Sequence, residues 1–238
     1  MKPTIAVMLM ALVLHACSPL HRMQKVESQV PGIGSIGTSR SSLFKKDFLK
    51  VGEPLLEAPV SVSVQSVALT ASKKAKYAKY LKAQALEPMV ELVDTTAVQP
   101  RYYEMQITDM VGMGDQLNNT ANKTLRQYLQ EDQGLELLTK ISFMGDKEME
   151  SQIKIADRYF LESKAGALVL KIGHGNGAQE IKMASLQIFD FESSSFCWKR
   201  NKRGQVEIAH ILVDGNGCPG ETESDPSKLD PFLDYSKL

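Results

Sequence analysis

Three cysteines, four histidines and one lysine-rich stretch are the residues of this chain whose types could do chemistry. Cys197 and Cys218 lack C-x-x-C spacing, and no histidine is fixed beside either, so neither reads as a nucleophilic or redox thiol. His15, His21, His174 and His210 stand singly, without a second His or Cys at ligand spacing, so the sequence offers no metal site. A serine nucleophile would need an exposed elbow such as G-x-S-x-G, which does not occur. Two S-x-x-K strings, Ser42 to Lys45 and Ser151 to Lys154, lack the S-D-N and K-T-G strings that acyl-enzyme chemistry of that kind requires. Asp214-Gly215-Asn216-Gly217 opens like a calcium loop. Cys218 then offers no oxygen, and Pro219 stands where the turning glycine belongs, so a hairpin turn is the reading. Gly32, Gly34 and Gly37 have no strand before them and no helix after them, so they are not a dinucleotide fingerprint, and no cofactor is expected.

Lys73, Lys76, Lys79 and Lys82 interleave with Tyr77, Tyr80 and Leu81 in a stretch, Ser72 to Leu86, that reads as a helix closed by Glu87-Pro88. One reading is a docking face for anionic headgroups, an acidic partner or glycan strands, since each Lys near such a surface contributes about 1 kcal/mol. The plainer reading is a solvated face with the tyrosines packed inward. Asn118-Asn119-Thr120 and Asn122-Lys123-Thr124 fit a glycosylation sequon but read as a polar helix start.

The composition places these residues on an ordinary globular frame. The chain has 238 residues, 43% hydrophobic and 24% charged, with zero formal net charge. A neutral balance gives no general pull toward nucleic acid, so none is expected as a partner.

Ile5 to Leu14 is an apolar run, IAVMLMALVL, behind Met1-Lys2. Its length, roughly 15 Å as a helix, suits the core of a signal peptide better than a span of roughly 30 Å of hydrocarbon. Leu14-His15-Ala16-Cys17 follows. It resembles the lipobox of bacterial lipoproteins, although His15 departs from the usual small or aliphatic residue at that place. The resemblance covers only the first seventeen residues. It implies cleavage after residue 16, lipidation of Cys17 and attachment to a membrane through that lipid. Ser18 in place of Asp, and the absence of an acidic run after Cys17, imply the periplasmic face of the outer membrane. Residues 17–50, with the Gly- and Ser-rich run VPGIGSIGTSRSS, read as a flexible tether with a reach on the order of 25–35 Å.

Residues 51–218 read as a single α+β domain, with about three helices in the N-terminal half and an antiparallel meander in the C-terminal half. Val60, Val62 and Val64 alternate with polar residues, and Val67 and Leu69 continue on the other parity, which predicts a bulge near Gln65-Ser66. Strands are expected at 102–108 and 135–143. Helices are expected through Leu117–Leu129, stopped by Gly134, and from an Asp146 cap to about Asp157. The meander reads as strands 158–163, 166–173, 179–191, 195–201 and 206–213. The 179–191 strand is apolar on both parities, so it either bulges or is covered on both faces. The acidic, proline-broken residues 219–238 read as disordered or draped on the surface.

A hairpin turning near Arg203 sets Trp198 opposite Ile208 and Cys197 opposite Ala209, and the turn at 214–217 brings Cys218 back toward Cys197. The two remaining cysteines are therefore expected to pair in an oxidising compartment. With no catalytic set, the leading expectation is a non-enzymatic structural, assembly or accessory subunit of the cell envelope, held by its lipid and working with other envelope proteins. A periplasmic protein binding a lipid, glycan or small molecule, and an envelope hydrolase, are the alternatives.

Overall fold

The computed structural model describes residues 31–42, 45–89, 100–175, 177–213 and 217–229. The strands are β1 (Ile36–Ser42), β2 (Lys45–Gly52), β3 (Val60–Ala68), β4 (Arg101–Ile107), β5 (Glu136–Met144), β6 (Arg158–Lys164), β7 (Ala167–His174), β8 (Gly177–Lys182), β9 (Gln187–Ser194), β10 (Phe196–Arg200) and β11 (Val206–Ile211). The helices are α1 (Ala71–Gln84), α2 (Met110–Asn118), α3 (Lys123–Glu131) and α4 (Lys147–Ile155). The class is α+β. One large antiparallel sheet runs in the order β9-β5-β4-β3-β6-β7-β8, and β10 and β11 form a separate hairpin. The β1–β2 hairpin joins this sheet where Ile36 and Gly37 pair with Leu137 and Glu136 of β5.

The main core lies on one face of the sheet. It gathers Val60 and Val62 of β3, Met105 and Ile107 of β4, Ile141 and Phe143 of β5, and Met113 and Leu117 of α2. A smaller core of Leu69, Tyr77, Leu81, Tyr102 and Met144, with Val67 and Phe189 packed on it, lies against α1. The change of parity along β3 comes from these two cores and not from a bulge. Pairing with β4 is continuous from Val62↔Ile107 to Ala68↔Arg101. Successive side chains of a strand point to opposite faces, so the first valines serve one core while Val67, and Leu69 just beyond the strand, serve the other.

The stretch 179–191 is not a single strand. It is split by a 3₁₀ turn at Met183–Ser185 into β8 and β9. The β5–β9 register then shifts between Ser142 and Phe143, which lets Phe189 face α1 while Phe191 packs on the main core. The single helix expected through Leu117–Leu129 is two, α2 and α3, separated by a 3₁₀ turn at Thr120–Asn122. Asp146 caps α4 by accepting the Met149 N–H at 2.8 Å, as its position implies.

Residues 31–42 and 45–50, expected within a flexible tether, are part of the fold. Ile33, Ser35 and Ile36 are fully buried. Gly34 takes a left-handed backbone, φ +85°, and a Cβ there would sit 2.7 Å from Leu161 Cδ2 and 2.8 Å from Leu168 Cδ1. A Cβ on Gly37 would strike the Leu49 carbonyl and the Phe48 ring. The Gly-rich composition therefore records close packing, not freedom. At the other end, residues 217–229 lie on β10. Trp198 and Glu223 exchange backbone hydrogen bonds of 2.8 and 2.9 Å, Pro226 is buried, and the Arg200 guanidinium donates to the Leu229 carbonyl. Of the two readings of the tail, draping is the one that holds as far as Leu229. Cys17, the turn 214–216 and residues 230–238 lie outside the described residues.

Candidate functional site

α1 begins at Thr70, whose hydroxyl accepts the Lys73 N–H, and ends at Ala85, left-handed at φ 52°, whose N–H returns to the Leu81 carbonyl. Tyr77 and Leu81 are its buried residues, four apart on one stripe. The tyrosines do pack inward. The Tyr77 hydroxyl donates to Gln187 Oε1 at 2.5 Å and accepts the Met89 N–H at 3.0 Å, and the Gln187 amide donates to the Glu87 carbonyl.

The sheet face beneath α1 is polar beside this small core. Register sets Glu104 of β4, Ser142 of β5 and Asp190 of β9 in one row across three strands. Lys73 stands over that row. Its ammonium lies 2.8 Å from Asp190 Oδ2, 2.9 Å from Ser142 Oγ and 3.6 Å from Glu104 Oε1, and 5.4 Å from the centre of the Tyr102 ring. Lys76 reaches Asp190 at 2.8 Å, and Lys140 bridges Glu104 and Glu192 at 3.2 Å each. Tyr102 donates to Glu104 Oε1 at 2.8 Å.

Burial alone would raise the Asp190 and Glu104 carboxyls. Hydrogen bonds and charge from Lys73 and Lys76 on the first, and from Tyr102, Lys140 and Lys73 on the second, outweigh burial and hold both below the usual carboxylate range. Burial would lower the Lys140 ammonium, and Glu104 and Glu192 reverse that and raise it. The Tyr102 hydroxyl is raised, first by burial and then by its bond to Glu104.

This geometry bears on two chemistries. Ser142 and Lys73 form a Ser–Lys contact, but Ser142 is buried, and the three ammonium donors face three acceptors, Asp190, Ser142 and Glu104. As a docking face, the lysines divide. Lys73 is half-buried on the sheet, and Lys76 reaches Asp190 from an exposed position like that of Lys79 and Lys82. The sequence could not separate them, because the carboxylate that claims the first pair lies more than a hundred residues further along.

The other candidates are scattered. His174 is exposed at the end of β7 near Asp157, and His210 is exposed on β11. Asp157 is held below the carboxylate range, first by the Gly175 N–H and then by Arg158. Ser151 donates to the Lys147 carbonyl within α4, and Lys154 pairs with Glu150 at 2.7 Å. No group of three metal-ligating side chains occurs among the described residues. An open depression of about 400 Å³ lies on β6–β8, beside Phe160, Arg158 and the Glu162–Lys171 ion pair. The apolar residues of 181–191 do not line it, since Ile181, Met183 and Leu186 are buried in the main core.

The disulfide is present. Cys197 and Cys218 are bonded, with Cα atoms 5.6 Å apart. Trp198 lies opposite Ile208 as expected, but Cys197 lies opposite His210 and not Ala209, because the register shifts between Cys197 and Trp198.

Asn118 and Asn122 hold backbone groups of other elements, which their place in a polar helix start did not foretell. The Asn118 amide donates to the Ile208 carbonyl at 2.8 Å and accepts the Ile208 N–H at 2.9 Å, so it pairs with β11 as a neighbouring strand would. Asn122, 4% exposed, does the same with both backbone groups of Leu55 and also reaches the Gln116 carbonyl. Both sequon amides are thus committed inside the fold.

No family model, no curated protein and no solved structure matches the chain. No described helix is long and apolar enough to cross a membrane.

Proposed function

We propose that this chain is a lipid-anchored protein of the bacterial cell envelope, a structural, assembly or accessory subunit and not an enzyme. The observation that carries the reading is the string Leu14-His15-Ala16-Cys17 behind a ten-residue apolar run. The Cys197–Cys218 bond supports it, since such bonds persist in oxidising compartments such as the periplasm. Ser18 favours the outer membrane over the inner one. The commitment of Lys73, Asp190, Glu104 and Lys140 to one another supports a scaffold role, because groups that could move protons hold α1 to the sheet.

Replacing Cys17 with Ser in the full chain tests the anchor. Loss of palmitate labelling and release from the membrane fraction are expected, and a variant that keeps its lipid label overturns the anchor. Crosslinking of the wild-type protein in cells, followed by mass spectrometry, tests the subunit role. A few stoichiometric envelope proteins are expected.

Binding of a glycan or small molecule is the second reading, favoured by the depression beside Phe160. Absence of any reproducible protein partner, with a ligand retained by the purified protein and lost in Phe160→Ala, would replace the first reading by this one.

A further inference from the structure

Along β6, Tyr159 and Leu161 pack in the main core, so Arg158, Phe160 and Glu162 point to the opposite face of the sheet. That is the face on which α1 lies, against Tyr102 of β4, Met144 of β5 and Phe189 of β9. Phe160 is half-buried and belongs to neither core. An aromatic ring so placed gains less from burial than its two neighbours in the strand.

Register accounts for the hollow beside it. Phe160 stands opposite Lys171, and Lys171 opposite Glu180. The next row on the same face is Arg158, Gly173 and Ala178. Gly173 and Ala178 put almost no bulk there, and the depression of about 400 Å³ opens over them. A Cβ on Gly173 would come no nearer than 3.4 Å to any neighbour, the Arg158 Cβ, so packing does not demand a glycine at this place.

The charges around the hollow cancel. Arg158 pairs with Asp157 at 3.2 Å, Lys171 with Glu162 at 3.1 Å and Lys164 with Glu180 at 2.5 Å. Three cations against three carboxylates leave no field to draw a polyanion or an anionic surface. What remains is an apolar ring beside fixed donors and acceptors. A pyranose ring has the matching pattern. Its C–H face stacks on an aromatic ring, while its hydroxyls donate to carboxylates and accept from ammonium and guanidinium groups. A protein partner is a poorer occupant, because one phenyl ring among paired charges does not make the apolar centre of an interface.

We propose that this depression binds a neutral saccharide. One sugar ring stacks on Phe160 over the floor of Gly173 and Ala178, and its hydroxyls meet Glu162, Lys171 and Arg158. This rests on the ligand-binding reading of the depression and names the class of ligand.

The test uses the full-length protein in a detergent without a sugar headgroup, with 4-fluorophenylalanine in place of Phe160 as a fluorine NMR reporter. Chitotetraose, cellotetraose and maltotetraose are titrated in turn, and adenosine serves as a flat probe that is not an oligosaccharide. A saturable shift with at least one of the oligosaccharides is expected. Ala178→Leu, at an exposed position of β8, fills the floor and should abolish that shift. In saturation-transfer measurements on the unlabelled protein, Phe160→Ala should weaken the same sugar about tenfold, the worth of one aromatic contact. Ile155→Ala, exposed on α4, should leave it unchanged. A shift with adenosine and with none of the oligosaccharides keeps the ligand-binding reading and overturns the saccharide. A reporter that moves with no probe overturns both. A shift that survives Ala178→Leu places the sugar elsewhere and overturns the site.

Discussion

Lys50 and Glu53 form an ion pair of 2.5 Å with side chains only 8% and 11% exposed. Glu53 also accepts the Leu168 N–H at 2.9 Å and the Ser35 hydroxyl at 3.3 Å. One carboxylate therefore ties β2, the buried 32–35 segment and the start of β7 together. Removing it leaves an ammonium and a backbone N–H without their acceptor in an enclosed place. Glu53→Ala is expected to cost about 3 kcal/mol or more, since breaking an enclosed pair from one side is worse than replacing both partners. A denaturant series on Glu53→Ala, Lys50→Met and the double variant checks this. Additive losses would show that the pair is not a unit.

Gly34→Ala is expected to destabilise by about 2–3 kcal/mol, from a left-handed backbone and a Cβ forced against Leu161 and Leu168. Gly166→Ala, at φ +80° with nothing within 4 Å, carries the backbone strain alone and should lose less. Equal denaturation midpoints for the two variants would show that Gly34 is not packed in the core.

The α1 network gives the stability a pH profile. Asp190 and Glu104 have folded carboxyls held below the ordinary range, so their contribution is present above about pH 4–5 and is lost as pH falls through their lowered values. The raised Lys140 works in the opposite sense, its contribution being complete below about pH 10 and lost above it. Urea unfolding at neutral pH and near pH 3 should show the acid loss, and Asp190→Asn should flatten it. An unchanged slope in that variant would assign the acid sensitivity elsewhere.

The Cys197–Cys218 bond closes 21 residues of chain. In the chain-entropy model a loop of that length stabilises by about 3 kcal/mol. Thiol reduction or Cys218→Ser should lower the denaturation midpoint accordingly, and a reduced protein as stable as the oxidised one would contradict it.

Local signals were readable and mostly correct. The Asp146 cap, a helix expected over Ser72 to Leu86 and found over Ala71–Gln84, the Arg203 hairpin and the pairing of the two cysteines all follow from residues close in the chain or from simple strand geometry. The places that misled share one cause. Val60 to Leu69 looked bulged because alternation shows that a face is covered, and not how many cores the sheet has. Residues 31–37 looked like a linker because glycine marks both freedom and close approach, and only Leu161, Leu168 and Phe48, supplied by other elements, tell the two apart.

The sequence by itself determined the class of the fold, most of its elements, the cystine and the motif at Cys17, because periodicity, caps and cysteine parity act over a few residues. The tertiary structure alone decided which lysines meet carboxylates, that Asn118 and Asn122 stand in for strand partners, and that Leu49 and Val51 face outward. The lysine and asparagine contacts join segments 67 to 117 residues apart. Register is set by the sum of packing across the whole sheet, which no local stretch of sequence contains.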